Sequence, residues 1–403
     1  MKYRALSSIF YSDNSKYLKI YENRYNSEST YRFNIKINGY NAFLVINHDI
    51  LQCIETIMEL DCNLLKRMNS LPKIALKQYT KKCLIDEIKM TNEIEGVAST
   101  RKEINEILND KVNNKKRRLY GLVKKYELLK EEHINLFDCK DIRKLYDELV
   151  LKEVIEEEPK NQPDGSIFRA NEVYVQNSYG KIIHKGVYPE SELITCMTDA
   201  LSILNNDDYN FLIRIAVFHY IFGYIHPFYD GNGRMSRFIS SYLLSQKLQY
   251  LVSYKISNTI KENISSYDKS FKEANDEKNR GELTIFVIKF FDIIIKSLED
   301  LCQSLDEGYN KLNFFKDKII EHYANNDKKS EILYILVQNT LFGEEGLSIE
   351  ELYSVSSLGK SKIRTFLREL EDEGMLYVTK DGKKNLYDVN LNTMSNLNSL
   401  NNK

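Results

Sequence analysis

The chain has 403 residues, with hydrophobic side chains at 42%, charged ones at 29% and a formal net charge of -1. That length predicts two or three domains rather than one core, and the near-zero charge excludes a global field that would draw the chain onto nucleic acid or membrane. No apolar run approaches the roughly 20 residues of a membrane span, and the N-terminus lacks the apolar core of a secretory signal, so a cytoplasmic location is expected.

Six scattered cysteines form no CxxC pair and no metal-ligand spacing, which predicts plain thiols. Five prolines and 16 glycines suit a mainly helical chain. In chain order, Phe33, Ile35 and Ile37 alternate with polar residues ahead of Asn38-Gly39, which predicts a β-hairpin within 31–47. Helical spacing follows over 50–68 and 71–90. Thr100 and Glu103 frame a capping box, with Ile104, Ile107 and Leu108 on one face. The basic run Lys115–Arg118 reads as a solvated helix face, and 140–158 as one charged helix.

The texture then changes. Val173-Tyr174-Val175 and Ile182-Ile183-His184 flank a turn at Ser178–Lys181, predicting a second hairpin. Pro189 is well placed to open a helix. Residues 209–224 are apolar almost all round and predict a buried central helix ending at Ile225-His226-Pro227. A further amphipathic helix spans 234–248, and 258–323 hold more. Near the end, helices at 331–337, 347–352 and 359–373 precede strands at 375–378 and 386–389, which predicts a winged helix-turn-helix.

The segment HPFYDGNGRMSR, His226 to Arg237, gathers the parts a phosphoryl or nucleotidyl transfer needs. His226 is a base at a helix end. Gly231, Asn232 and Gly233 turn straight into the next helix, so its free amides and positive dipole end face the loop as an anion cradle. Arg234 and Arg237 lie three apart on its first turn, within reach of phosphate oxygens. Asp230 is a hard oxygen ligand suited to Mg2+.

The segment resembles the Fic motif HxFx(D/E)GNGRxxR at every specified position. The resemblance implies a helical Fic core with a β-hairpin flap, and the hairpin over Val173–Val187 stands where that flap belongs. It implies protein adenylyl transfer: His226 as general base for a Tyr, Ser or Thr hydroxyl, Phe228 as a core residue fixing the loop, and Asp230 holding Mg2+ on the phosphates of ATP. Gly231, Asn232, Gly233 and Arg234 would cradle phosphate oxygens and Arg237 would grip the γ-phosphate. The flap would pair with an extended segment of the target protein. Intact GNGR favours AMP transfer over the phosphate transfer of the altered death-on-curing loops.

Thr91–Gly96 (TNEIEG) is similar to the family's inhibitory pattern [S/T]xxxE[G/N]. By that resemblance Thr91, Glu95 and Gly96 form a brake in which Glu95 neutralises Arg237; in some relatives the same glutamate is implied to position a water that removes AMP, so a de-AMPylating hydrolase stays open. The expected organisation is 1–85, a hairpin and helical segment; 86–300, the Fic core with its inhibitory helix (Fido core about 140–298); and 301–403, a linker helix and the winged helix. Its recognition helix starts basic (Lys360, Lys362, Arg364, Arg368) and ends acidic (Glu369, Glu371, Asp372, Glu373), with Lys380, Lys383 and Lys384 in the wing. DNA and protein docking, or a homodimer contact, both stay open there, as does a nucleotide-sensing DNA-binding regulator.

Overall fold

Backbone conformation at a few residues sets the element boundaries. The structure, a computed structural model, describes residues 3–110, 117–176, 182–323, 326–382 and 384–396. It is mainly helical, as the sequence predicts. Helices α1 (Leu6–Ser12) and α2 (Asn14–Tyr25) precede strands β1 (Thr30–Ile37) and β2 (Tyr40–Val45). Asn38 and Gly39 both take positive φ, 49° and 84°, the geometry of the two-residue hairpin turn. Phe33, Ile35 and Ile37 are buried on one face of β1.

Next come α3 (His48–Ser70), α4 (Lys73–Ile94), α5 (Arg101–Leu108), α6 (Tyr120–Glu127), α7 (Cys139–Leu149) and α8 (Leu151–Glu157). Thr100 caps α5, its Oγ1 accepting from the Glu103 amide at 3.1 Å. The single helix expected over 140–158 is instead two, α7 and α8. They are divided at Val150, whose φ of -134° leaves the helical region. The basic run also departs from expectation. Lys115 and Lys116 lie outside the described residues, while Arg117 and Arg118 sit in the turn before α6. There Arg117 pairs with Glu106 at 3.5 Å and Arg118 with Glu103 at 3.3 Å.

Strands β3 (Tyr174–Gln176) and β4 (Ile182–Lys185) pair antiparallel as the second hairpin; its turn at Ser178–Lys181 lies outside the described residues. Then follow α9 (Glu190–Leu204), α10 (Phe211–Ile225), α11 (Asn232–Ser245), α12 (Ile256–Glu262), α13 (Ile264–Ala274) and α14 (Thr284–His322). Helix α10 is buried nearly all round, from Leu212 to Ile225, as its unbroken apolar run requires.

The chain divides into two units: Met1–Asp61 with Leu84–Glu299, and Cys62–Cys83 with Asp300–Lys403. In the first, β2 is stitched to the segment before α14. The Phe43 amide donates to Gly281 O at 3.0 Å, and the Leu283 amide to Phe43 O at 2.8 Å. The second unit ends in α15 (Asp327–Phe342), α16 (Ile349–Val355), α17 (Lys360–Asp372), strands β5 (Leu376–Asp381) and β6 (Lys384–Val389), and α18 (Leu391–Ser395). Ser348 and Glu351 cap α16 reciprocally. The turn between β5 and β6 uses Gly382 at φ 58°. None of the six cysteines forms a disulfide. No helix among the described residues is long and apolar enough to cross a membrane.

Candidate active site

Helix α10 stops at Ile225 because Pro227 disfavours helical backbone in the residue before it. That residue, His226, takes a left-handed conformation at φ 52°, ψ 65°. A non-glycine residue there carries about 1–2 kcal/mol of strain. It is held by Arg169, itself 1% exposed. The Arg169 guanidinium donates to the carbonyls of His226 at 2.8 Å, Val187 at 2.8 Å, Ile225 at 3.4 Å and Asn171 at 2.5 Å. One side chain therefore ties the base of the β3–β4 hairpin to the backbone of His226. The Val187 amide adds a bond to Ile225 O at 3.1 Å.

The loop beyond is closed from within. Phe228 is fully buried and stacks on Tyr146 at 3.6 Å with planes 10° apart. The Tyr146 hydroxyl donates to Asp230 O at 3.2 Å. Asn232, also buried, accepts from the Phe228 amide at 2.9 Å and donates to Phe228 O at 2.8 Å. Its side chain is thus consumed in shaping the loop. Asn232→Ala leaves two buried backbone groups unpaired and is expected to cost about 2 kcal/mol. A lowered midpoint in thermal unfolding checks this; an unchanged midpoint refutes it.

Gly231 has φ 78° and lies against Val150; a Cβ there would come within 3.0 Å of Val150 Cγ2. The break between α7 and α8 thus puts a side chain under the turn. Helix α11 starts at Asn232, two residues before the sequence expectation, and no side chain caps its first turn. Arg234 is fully buried. Its Nη1 meets Glu153 Oε2 at 3.1 Å, and its Nη2 stands 3.8 Å from Asp230 Oδ2. Nε and Nη2 have no hydrogen-bond partner, so this guanidinium keeps donors in reserve. Burial raises the Glu153 carboxyl to about 7, and the Arg234 charge opposes the rise.

Arg237 is 2% exposed. Its Nε donates to Thr91 Oγ1 at 2.9 Å, its Nη2 to Thr91 O at 2.9 Å, and the same Nη2 pairs with Glu95 Oε1 at 2.8 Å. That carboxylate also lies over Gly233, where a Cβ would fall 2.1 Å from Oε1. Glu95 therefore occupies the open N-terminal turn of α11 as well as its arginine. Glu87, eight residues before Glu95 on α4, is buried and bonded to the Ser257 amide at 2.8 Å and to Ser257 Oγ at 2.5 Å. Burial raises it to about 7, against the pull of these bonds and of Arg237.

The two histidines of this region separate clearly. His219 lies inside the core, bonded to Ser240 Oγ at 2.8 Å and Tyr267 OH at 2.7 Å, and burial pushes it down to about 3. Burial pushes His226 down to about 4; His184 and the Arg169 guanidinium act the same way and Glu95 acts against them. His226 is therefore a neutral base at pH 7.

Six of the residues singled out from the sequence thus fall into two linked groups. Thr91, Glu95, Gly233 and Arg237 meet directly, and Asp230 and Arg234 face each other beside them on the same loop and helix. Gly96 meets neither group. It turns the chain after α4 at φ 75°, with its amide on Glu93 O at 3.2 Å. Glu153, Arg169 and Glu87 were not foreseen. Each is a single charged residue in an ordinary polar run, and nothing local in the sequence marks it.

No group of three or more His, Cys, Asp or Glu side chains gathers to cage a metal among the described residues. A divalent ion bound through phosphates needs only one or two carboxylates, and Asp230, with its side chain 35% exposed, fits that need.

Residues 136–244 match the Fic/DOC family model. Among solved structures, a Fic family protein from Desulfovibrio desulfuricans G20 is 18% identical with a TM-score of 0.52, over 86% of this chain and 97% of that one. At that identity the likeness is one of fold. A Fic domain containing signaling protein from Bacteroides thetaiotaomicron VPI-5482 aligns at 20% identity and a TM-score of 0.43, over 62% of this chain and 97% of that one. Fic-1, residues 134–508, from C. elegans aligns at 14% and 0.46, over 73% and 79%.

Proposed function

This chain belongs to the Fic/DOC family, whose model its residues 136–244 match, and from that premise we propose that it transfers AMP from ATP to a Tyr, Ser or Thr hydroxyl of a protein, held in check by Glu95. Fic domain proteins typically move a nucleotide monophosphate onto proteins. The observation that carries the finer reading is a carboxylate, Glu95, lodged on Arg237 and over Gly233, at the helix end where an anion is best received.

In this reading neutral His226 takes the proton of the target hydroxyl. The freed oxygen forms a bond to the α-phosphorus as the bond to pyrophosphate breaks. The Gly231–Gly233 turn and the first amides of α11 receive phosphate oxygens. The unpartnered Nε and Nη2 of Arg234 supply two further donors, and Arg237 takes the γ-phosphate once Glu95 withdraws. Asp230 would hold Mg2+, which supplies charge neutralisation on the phosphates. The β3–β4 hairpin offers a strand edge along which an extended target segment can add.

The position of the radioactive atom tests the reaction type. Label from [α-32P]ATP is expected to stay on protein, and label from [γ-32P]ATP is not. Retention of the γ label alone would mean phosphate transfer, and release of AMP from modified protein without forward labelling would mean hydrolysis.

The acidity of His226 gives a second expectation. A base must be unprotonated to act, and a group lowered to about 4 protonates only well below neutrality. Glu95 raises that value, so its removal moves it further down. The labelling rate of Glu95→Gly is expected to be flat from about pH 6 to 8, with any acid limb below about pH 5. An acid limb near the ordinary histidine value would contradict a base that stays neutral at pH 7.

A further inference from the structure

Helix α17 carries its charge against its own dipole. Its first turn holds no acidic residue and its last turn no basic one. Lys360, Lys362 and Arg364 instead stand near the positive amide end, and Glu369, Glu371 and Asp372 near the negative end. Each of these charges disfavours the helix that bears it. A polyanion laid across the N-terminal end relieves the conflict.

The helix also has two distinct faces. Ile363, Phe366, Leu367 and Leu370 are buried. Ser361, Lys362, Arg364, Thr365 and Arg368 are exposed. Among the described residues Lys362, Arg364 and Arg368 form no ion pair, whereas Lys360 meets Glu350 at 3.6 Å. The acidic end is partly neutralised from inside the unit. Lys329 on α15, 7% exposed, takes Glu373 at 2.6 Å and Glu369 at 3.2 Å. Over its first two turns α17 itself exposes only cationic and hydroxyl side chains, with the exposed Tyr353 of α16 beside Lys360, whose Nζ lies 5.4 Å from that ring. Protein interfaces are built around aromatic and aliphatic anchors and are poor in lysine. Phosphate backbones are held by Arg, Lys, Ser and Thr, the side chains present here.

We propose that this surface binds duplex DNA through its phosphates, with the first half of α17 in the major groove. Lys380 and Lys384, exposed on β5 and β6, reach the flanking backbone. All these residues belong to the second unit, so the inference stands apart from the transfer reaction.

The full chain is titrated into a fluorescein-labelled 20-bp duplex of mixed sequence, read by anisotropy between 50 and 200 mM KCl. Salt-dependent binding is expected. The triple variant Lys362→Gln, Arg364→Gln, Arg368→Gln should weaken it about tenfold or more and reduce the slope of log affinity against log salt by about 2.7, at about 0.9 per phosphate contact. Glu371→Gln with Asp372→Gln should tighten it, a direction that a misfolded variant does not mimic; circular dichroism of the triple variant checks that its helices persist. The proposal is overturned by absence of salt-dependent binding or by affinity unchanged in the triple variant. It is equally overturned if polyglutamate of matched charge displaces the duplex at the same concentration, the result expected of a surface for acidic protein.

Discussion

Glu95→Gly is expected to raise transfer of labelled AMP, to targets or to the chain itself, by about 10- to 100-fold. The range follows from what the carboxylate does. It makes a charge-assisted hydrogen bond to Arg237 at 2.8 Å, a contact worth about 1.5–3 kcal/mol, and each 1.4 kcal/mol of barrier or binding is about tenfold in rate. It also fills the space over Gly233 that a phosphate oxygen would need. Glu95→Gln separates the two effects. The amide keeps the shape and loses the charge, so labelling should rise less than in Glu95→Gly. Equal labelling in wild type and Glu95→Gly would remove the brake from the proposal.

In the released background, His226→Ala is expected to lower labelling by at least about 100-fold, since general-base catalysis contributes about 10²–10⁴. The α11 cradle and its arginines remain, so calorimetry should find ATP bound with little change. Loss of binding together with activity would place His226 in the architecture of the pocket instead of in the chemistry. The geometry argues for chemistry. The backbone of His226 is already fixed by Arg169 through main-chain carbonyls, and these bonds do not involve the imidazole.

What could be read from the sequence was local. Asn38-Gly39 and the apolar run of α10 each specify their own backbone and appear as expected, whereas only half of the capping box forms: Thr100 caps the Glu103 amide, but the Glu103 carboxylate pairs with Arg118 instead of reaching back. HPFYDGNGRMSR was legible because its parts lie within twelve consecutive residues. The rest depends on partners far along the chain. Glu153 matters because it faces Arg234, 81 residues away. Arg169 matters because it meets carbonyls up to 57 residues away. The break at Val150 serves a glycine turn that no helical periodicity can anticipate. Lys329 hides in a polar run until its contacts with Glu369 and Glu373 reveal why the acidic end of α17 is less negative than it reads.

Arg169 has a mechanical consequence. A guanidinium is planar, and Arg169 grips the carbonyls of residues 225 and 226 together with that of residue 187, Nη2 holding both 187 and 225. A polypeptide that lengthens the sheet along β3 or β4 would load the hairpin, and that load passes to the histidine through one rigid plate. Under the proposed function, target binding at the hairpin and the aim of His226 would therefore be geared together.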